Sequence, residues 1–389
     1  MPDSFVETTS TSWLSRIGGS ITGVLFGIVF VIGSIVLLFW NEGRAVQTTR
    51  SLSEGGKIVV DVAPATVDPG NEGKLIHLSG ETKTGDPVVD RAFGVSATAL
   101  HLVRVAQMYQ WQEDKHQETH KSIGGSEETV TTYTYKKEWS DRAIDSQTFR
   151  HPDGHTNPHK QYGRFSATAA DATLGAFKLE AAVLNLLPAS AALPLGPQAA
   201  DPLKPRIANA QIADGDIYIG GDPGNPQIGD YKISYVYAAV GPVSAIGRQS
   251  GSALAPYQTK SGDRLLLAVP GERSAAEMFK QAERDNMILT WIVRLGGVVA
   301  MWLGAYLVLR PLVVVADVVP LIGSVIGAGA GLVALAFTMA VGGLVIALAW
   351  LWYRPLVGIA VLAIGLVAAF FAHRLAASRS AARAIPAPA

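Results

Sequence analysis

The chain contains no cysteine, and only 16% of its 389 residues are charged. The first absence excludes disulfides, thiolate metal sites and a cysteine nucleophile. The second is a shortfall against the roughly 25% charged residues of an ordinary soluble domain. It is unevenly spread: Asn41–Met287 holds 25 basic and 29 acidic residues, leaving 7 basic and 3 acidic for everything else. The chain is therefore a polar block flanked by apolar ends, which rules out an ordinary soluble enzyme. The block has a formal charge of −4 and no basic stripe, so nucleic acid is not an expected partner. Also missing are Gly-x-Ser-x-Gly, His-Glu-x-x-His, a phosphate loop and a dinucleotide glycine fingerprint. No catalytic, metal or cofactor-binding residue is assigned, and no cofactor is expected.

The apolar ends read as membrane spans. Ser20–Trp40 carries no charge over 21 residues, close to the ~20 that cross a hydrocarbon core as a helix. Leu37–Trp40 offers no small-residue cleavage site, so the segment reads as a retained anchor rather than a signal peptide. Second, third and fourth spans are expected over 288–309, 325–348 and 356–372, with a short interfacial loop at 310–324 where Pro320 breaks the helix. Arg294 near the start of span two either snorkels to the interface or serves inside the bundle. Gly323, Gly327 and Gly331 recur every four residues, the small-residue pattern that lets membrane helices pack closely, within one bundle or between copies. The spans lack the several ionisable groups of a pump or ion path. Basic residues flank both ends of the chain, Arg16 in a tail at 1–19 and Arg374, Arg379 and Arg383 in a tail at 373–389. By the positive-inside rule both termini are expected in the cytoplasm and the block outside it.

Within 41–287, alternation and β-branched or aromatic residues mark strands at Lys57–Val62, Lys74–Ser79, Ala99–Gln112, Glu128–Trp139, Arg206–Ile212, Asp230–Tyr237 and Arg264–Val269. Gln107–Trp111 and Thr129–Tyr135, joined through Gly124-Gly125, read as a long hairpin. Helices are expected over 171–187, from Leu174, Phe177, Ala181 and Leu184, and over 274–287, where Ser274 and Glu277 form a capping box and no breaker precedes span two. The expected class is an α+β integral membrane protein: four transmembrane helices, with a large β-rich extracytoplasmic domain between the first and second spans.

Several strings carry a family resemblance. They are Asn41-Glu-Gly-Arg-Ala, Ser51-Leu-Ser-Glu-Gly, Asn71-Glu-Gly-Lys-Leu-Ile-His, Met108-Tyr-Gln-Trp, Glu138-Trp, Gly154-His-Thr-Asn-Pro, Thr259-Lys-Ser-Gly-Asp-Arg-Leu-Leu-Leu and Tyr353-Arg-Pro-Leu. In order and spacing the chain resembles the transmembrane protein 43 (LUMA) family over about residues 13–373. The resemblance implies four spans with one large domain between the first two. It also implies a self-associating organiser of the endoplasmic reticulum and inner nuclear membrane, whose animal member binds emerin and lamins. It brings no enzymatic residues. The short N-terminal tail and the nearly uncharged segment between spans two and three depart from the family and weaken the case for those partners. The alanine, glycine and arginine usage suits a bacterial chain, which would sit in the inner membrane and have no lamins.

His151, His155 and His159 recur every four residues, but Pro152, Gly154 and Pro158 forbid the helix that would gather them on a metal. The resemblance falls instead on His155 and Asn157, a structural turn or a pocket wall. Glu42 and Glu72 each sit in an Asn-Glu-Gly string, read as a turn or as half of a carboxylate pair. Tyr109, Trp111 and Trp139, with Tyr133 and Tyr135, either line an apolar ligand cavity or form cross-strand pairs. The expected partners are the lipid bilayer, a second copy and an unidentified membrane protein. The expected function is a non-enzymatic membrane or envelope organiser. A membrane-tethered enzyme or lipid-binding protein with a pocket near His155 is the alternative.

Overall fold

A computed structural model describes residues 3–360 throughout and, beyond them, 363–365, 367, 370, 371 and 374. The described residues of span four, 356–360, 363–365, 367, 370 and 371, are helical, while the basic tail at 373–389 falls almost wholly outside the described residues. Up to residue 354 four helices are seen: α1 (Trp13–Ile58), a single turn α2 (Ala181–Leu184), α3 (Ala275–Ala316) and α4 (Pro320–Tyr353). Among the described residues α1, α3 and α4 are long and apolar enough to cross a membrane. The chain divides into two compact units, one of residues 1–9, 51–120 and 128–283, the other of 10–50, 121–127 and 284–389.

The first unit is β-rich. One sheet runs, in spatial order, Asp3–Thr11, Glu127–Ser140, Ala99–Lys121, Tyr231–Ala239, Asp216–Ile219, Ala210–Ala213, with Phe165–Thr168 beside Ala99–Lys121 and Ala191–Ala192 beside Tyr231–Ala239. A second, seven-stranded sheet is built around Leu75–Lys83 and Pro242–Ser250, paired antiparallel from Leu75 with Arg248 to Glu81 with Pro242. Alternation buries Leu100, Leu102, Ala106 and Met108 of one strand against Ile233 and Tyr235 of its neighbour, in a core shared with Leu174 and Phe177. Leu52 and Gly55 at the end of α1 meet Phe279 and Leu265 in a smaller cluster, where a Cβ on Gly55 would come within 2.6 Å of the Leu265 side chain.

Four expectations are corrected. Residues 171–187 are not a helix. Two short strands, Thr173–Leu174 and Phe177–Lys178, turn at Gly175, and only Ala181–Leu184 is helical. Gly175 has φ +61°, and a Cβ there would stand 2.1 Å from the Pro64 carbonyl oxygen. Apolar residues three or four apart are buried by this hairpin as readily as by a helix face. Asn41-Glu-Gly is not a turn: α1 runs through it without a break to Ile58, leaving Val60–Asp61 as the strand expected over Lys57–Val62. The segment at 310–324 is not an interfacial loop, because α3 continues past Pro311 to Ala316 and α4 begins at Pro320. Residues 1–19, expected as a short cytoplasmic tail apart from the block, instead hold Asp3–Thr11, the outermost strand of the first sheet. The capping box stands: Ser274 Oγ accepts from Glu277 N at 3.3 Å and Glu277 Oε2 accepts from Ser274 N at 2.9 Å, and α3 runs on unbroken.

In the second unit the three long helices alternate in direction. Gly27 of α1 meets Gly304 of α3 so closely that a Cβ on Gly27 would lie 2.6 Å from the Gly304 carbonyl oxygen. This is the small-residue packing expected between membrane helices, at a place the four-residue glycine repeat did not indicate. Gly323 and Gly327 are filled from their own chain, by Asp317 and by Val313, while nothing lies within 4 Å of a Cβ on Gly331. Leu38, Met301 and Val345 are buried together, and Leu25, Val29 and Leu321 are exposed on the outer faces.

Candidate functional site

Glu42 is 2% exposed and lies inside α1. A bare carboxylate there would be costly, and three donors hold it. Arg294 Nε and Nη2 donate to Oε1 and Oε2 at 2.6 and 2.9 Å, and Trp350 Nε1 donates to Oε2 at 2.9 Å. The guanidinium also stacks over Trp291, 4.7 Å from the ring centre. Arg294 is half of a bidentate pair between α1 and α3, closed by α4. One turn on, Arg44 donates to Asn286 Oδ1 at 2.9 Å, Thr290 Oγ1 at 3.0 Å and Asn41 Oδ1 at 3.2 Å, while Asn41 Nδ2 donates to the Thr290 carbonyl at 3.1 Å.

A second charged cluster closes the other end of these helices. Asp317, in the break between α3 and α4, accepts from Arg16 Nη2 and, at 2.8 Å, from Lys121 Nζ. Arg16 also reaches Glu127 at 3.0 Å and the Gly125 carbonyl at 2.6 Å, and Trp13 Nε1 donates to the Val314 carbonyl at 2.9 Å. Between Arg16 and Glu42, α1 runs uncharged for roughly 39 Å at 1.5 Å per residue, enough for a ~30 Å hydrocarbon core. A cavity of about 310 Å³ within this band is apolar, lined by Ile28, Val31, Ala305, Val308, Val333 and Phe337 among others. Sequence reasoning missed Asp317, although it is the single acid after Asp285. It also missed Trp350, for which a tryptophan in an apolar run gave no signal.

The residues singled out in the β-rich unit are brought together in part. His155 is 2% exposed, stacked on Tyr135 at 3.9 Å and edge-on to Trp111 at 4.8 Å, with Nδ1 bonded to the His151 carbonyl at 2.9 Å. Phe5 stacks on His151 at 4.3 Å, and the Nε2 atoms of His151 and His155 lie 3.4 Å from Glu7 and Asp3. Asn157 works as a strand would: Oδ1 accepts from Trp111 N at 2.7 Å and Nδ2 donates to the Trp111 carbonyl at 2.9 Å. Tyr109 packs on Trp139 at 5.2 Å, a cross-strand pair. Glu72 is exposed and accepts from Gly251 N at 2.8 Å, and Glu42 is occupied as above, so each carboxylate has its own separate neighbours. No group of three or more His, Asp or Glu able to hold a metal occurs among the described residues.

Tyr135 gives this cluster a pH signature. Burial, and donation of its hydroxyl to Glu113 Oε2 at 2.5 Å, push the phenol up to about 12. A raised native pKa means its stabilisation is complete below the unfolded value near 10 and is lost as pH rises through about 12. Tyr135→Phe is expected to flatten the alkaline loss of stability across that window, measured by chemical unfolding at stepped pH. An unchanged slope would show that the hydroxyl is not coupled to folding.

The strings that stood out in the sequence meet within these clusters. Ser51 Oγ lies 2.9 Å from Thr259 Oγ1, Glu54 accepts from Lys260 N at 3.0 Å, Trp111 is bonded to Asn157, and a Cβ on Gly43 would strike the Tyr353 ring. A family model described as Transmembrane protein 43 matches residues 108–355. The chain belongs to that family. It is 33% identical to transmembrane protein 43 of Homo sapiens over 375 residues, covering 93% of this chain and 92% of the human one. Against the Mus musculus protein the figure is 33% over 356 residues, 88% of each chain. With the Drosophila melanogaster homolog it is 30% over 351 residues, 88% of this chain and 91% of that one. No solved structure matches.

Proposed function

We propose that this member of the transmembrane protein 43 family is a non-enzymatic membrane organiser, which self-associates and binds protein or lipid through its β-rich unit. The observation that carries the reading is how Glu42, Arg294 and Trp350 are used. At the end of the uncharged membrane band, the buried carboxylate is held by a bidentate arginine and an indole of its own chain. That is the chemistry of an anchor rather than of a site turned toward a substrate. The alternative of a pocket at His155 draws no support from a ring whose Nδ1 is bonded to backbone and whose faces are packed by aromatics.

The test is crosslinking of the full chain in its own membrane, followed by mass spectrometry of the captured species. Self-crosslinks together with a defined protein or lipid are the expected result. A strict monomer that brings down nothing would overturn the proposal.

A further inference from the structure

The strand Ala99–Lys121 is covered unevenly. One side is paired with Tyr231–Ala239 as far as Met108. Past that point Tyr109 N donates to the Asp230 carbonyl at 2.8 Å and its own carbonyl accepts from Gly229 N at 2.9 Å. Asn157 then takes both backbone groups of Trp111. There the cover stops, and no further strand lies on this side of Glu113–His120 among the described residues. Tyr109 and Trp111 point their backbone groups to this side, so by the two-residue period Glu113, Lys115, Gln117 and Thr119 do the same. The opposite edge of the same sheet is Asp3–Thr11, paired among the described residues only with Glu127–Ser140. One sheet therefore ends in two open edges of similar length, on a ribbon whose side chains from Asp114 to Lys121 are exposed. Long unpaired edges of this kind are templates for another strand.

Resting on the self-association proposed above, we infer that these two edges pair between copies, Asp3–Thr11 of one chain adding to Glu113–His120 of the next. Unlike edges joined in this way make a heterologous contact, which closes into a ring when the rotation per copy permits. Composition suits the pairing. Gln117 bonds Thr131 and Thr119 bonds Thr129 on the face that also carries Lys115 over Tyr133. On the donor strand Thr9 Oγ1 donates to the Thr129 carbonyl at 3.4 Å, and Glu7 is already held by Arg150 Nε at 2.8 and 3.0 Å. Val6 and three threonines among the donor's nine residues favour an extended strand.

The lack of cysteine makes the test direct. Thr8→Cys and Glu118→Cys are placed in two differently tagged copies expressed together in native membranes. Within one chain these positions stand two strands apart, about 10 Å, outside the reach of a disulfide. A disulfide joining the two tags, absent when either variant is expressed alone, is the expected result. Lys115→Pro removes an N–H on the open side while leaving the hairpin ladder intact, and should reduce the crosslinked fraction at least fivefold. Lys115→Glu, which keeps the N–H and reverses the charge, should reduce it less. If copies crosslink elsewhere but never between Thr8→Cys and Glu118→Cys, the edge pairing is wrong and self-association stands. If the chain is a monomer, both fall.

Discussion

Arg294→Ala is expected to destabilise the helical unit by about 3–5 kcal/mol, the usual consequence of removing one member of a buried ion pair. The variant leaves the Glu42 carboxylate 2% exposed with the Trp350 N–H at 2.9 Å as its remaining donor. Arg294→Lys should recover part of the stability, because an ammonium supplies the charge but not the two parallel bonds at 2.6 and 2.9 Å. The double variant Glu42→Leu, Arg294→Leu should be more stable than Arg294→Ala, since it buries no unpaired charge. Thermal or denaturant unfolding in micelles, followed by tryptophan fluorescence, compares the three variants with the parent chain. Near-identical stability of Arg294→Ala and the parent chain would show that the pair is solvated rather than buried.

A comparable loss, again about 3–5 kcal/mol, is expected in the β-rich unit from Asp90→Ala. Asp90 is 1% exposed and accepts from Arg104 Nη1 at 2.5 Å, Tyr235 Oη at 2.8 Å and Ala92 N at 3.1 Å. Arg104 lies between Phe93 and Phe165, 4.8 and 5.4 Å from their ring centres, and reaches the Gly163 carbonyl at 3.1 Å. Without Asp90 that cation is stranded among aromatics, and the Tyr235 hydroxyl loses its acceptor. Tyr235→Phe removes one neutral donor and should cost far less, about 1 kcal/mol. Chemical unfolding of the full chain, read by far-ultraviolet circular dichroism at the β signal, separates the two. Equal losses from Asp90→Ala and Tyr235→Phe would mean that the ion pair adds nothing to the hydrogen bond.

The membrane helices were legible because a bilayer leaves no choice: an uncharged run such as Ser20–Trp40 is long enough to cross and has no comfortable place in water. The 99–140 hairpin was legible for a similar local reason, since alternation with a Gly124-Gly125 turn admits few other folds. The helix assigned to 171–187 failed where local pattern is ambiguous. Leu174 and Phe177 are buried with or without a helix, and the deciding fact is the Pro64 carbonyl pressed against Gly175. Asn157 was noticed, but its work as a substitute strand on Trp111 depends on a partner 46 positions away.

The sequence by itself determined the materials: apolar stretches that belong in lipid, a polar β-rich block, no thiol chemistry and the family. It did so because hydrophobic run length and residue alternation are properties of neighbours along the chain. Tertiary structure alone decided what the charges do. Asn41-Glu-Gly reads as a turn in any window, and it becomes the middle of α1 because Arg294 stands 252 residues away with two donors aimed at Glu42. Asp317 is likewise only a stray acid until Arg16 and Lys121 converge on it. A buried charge is tolerated according to its partner, and the partner is chosen by the fold rather than by proximity in sequence.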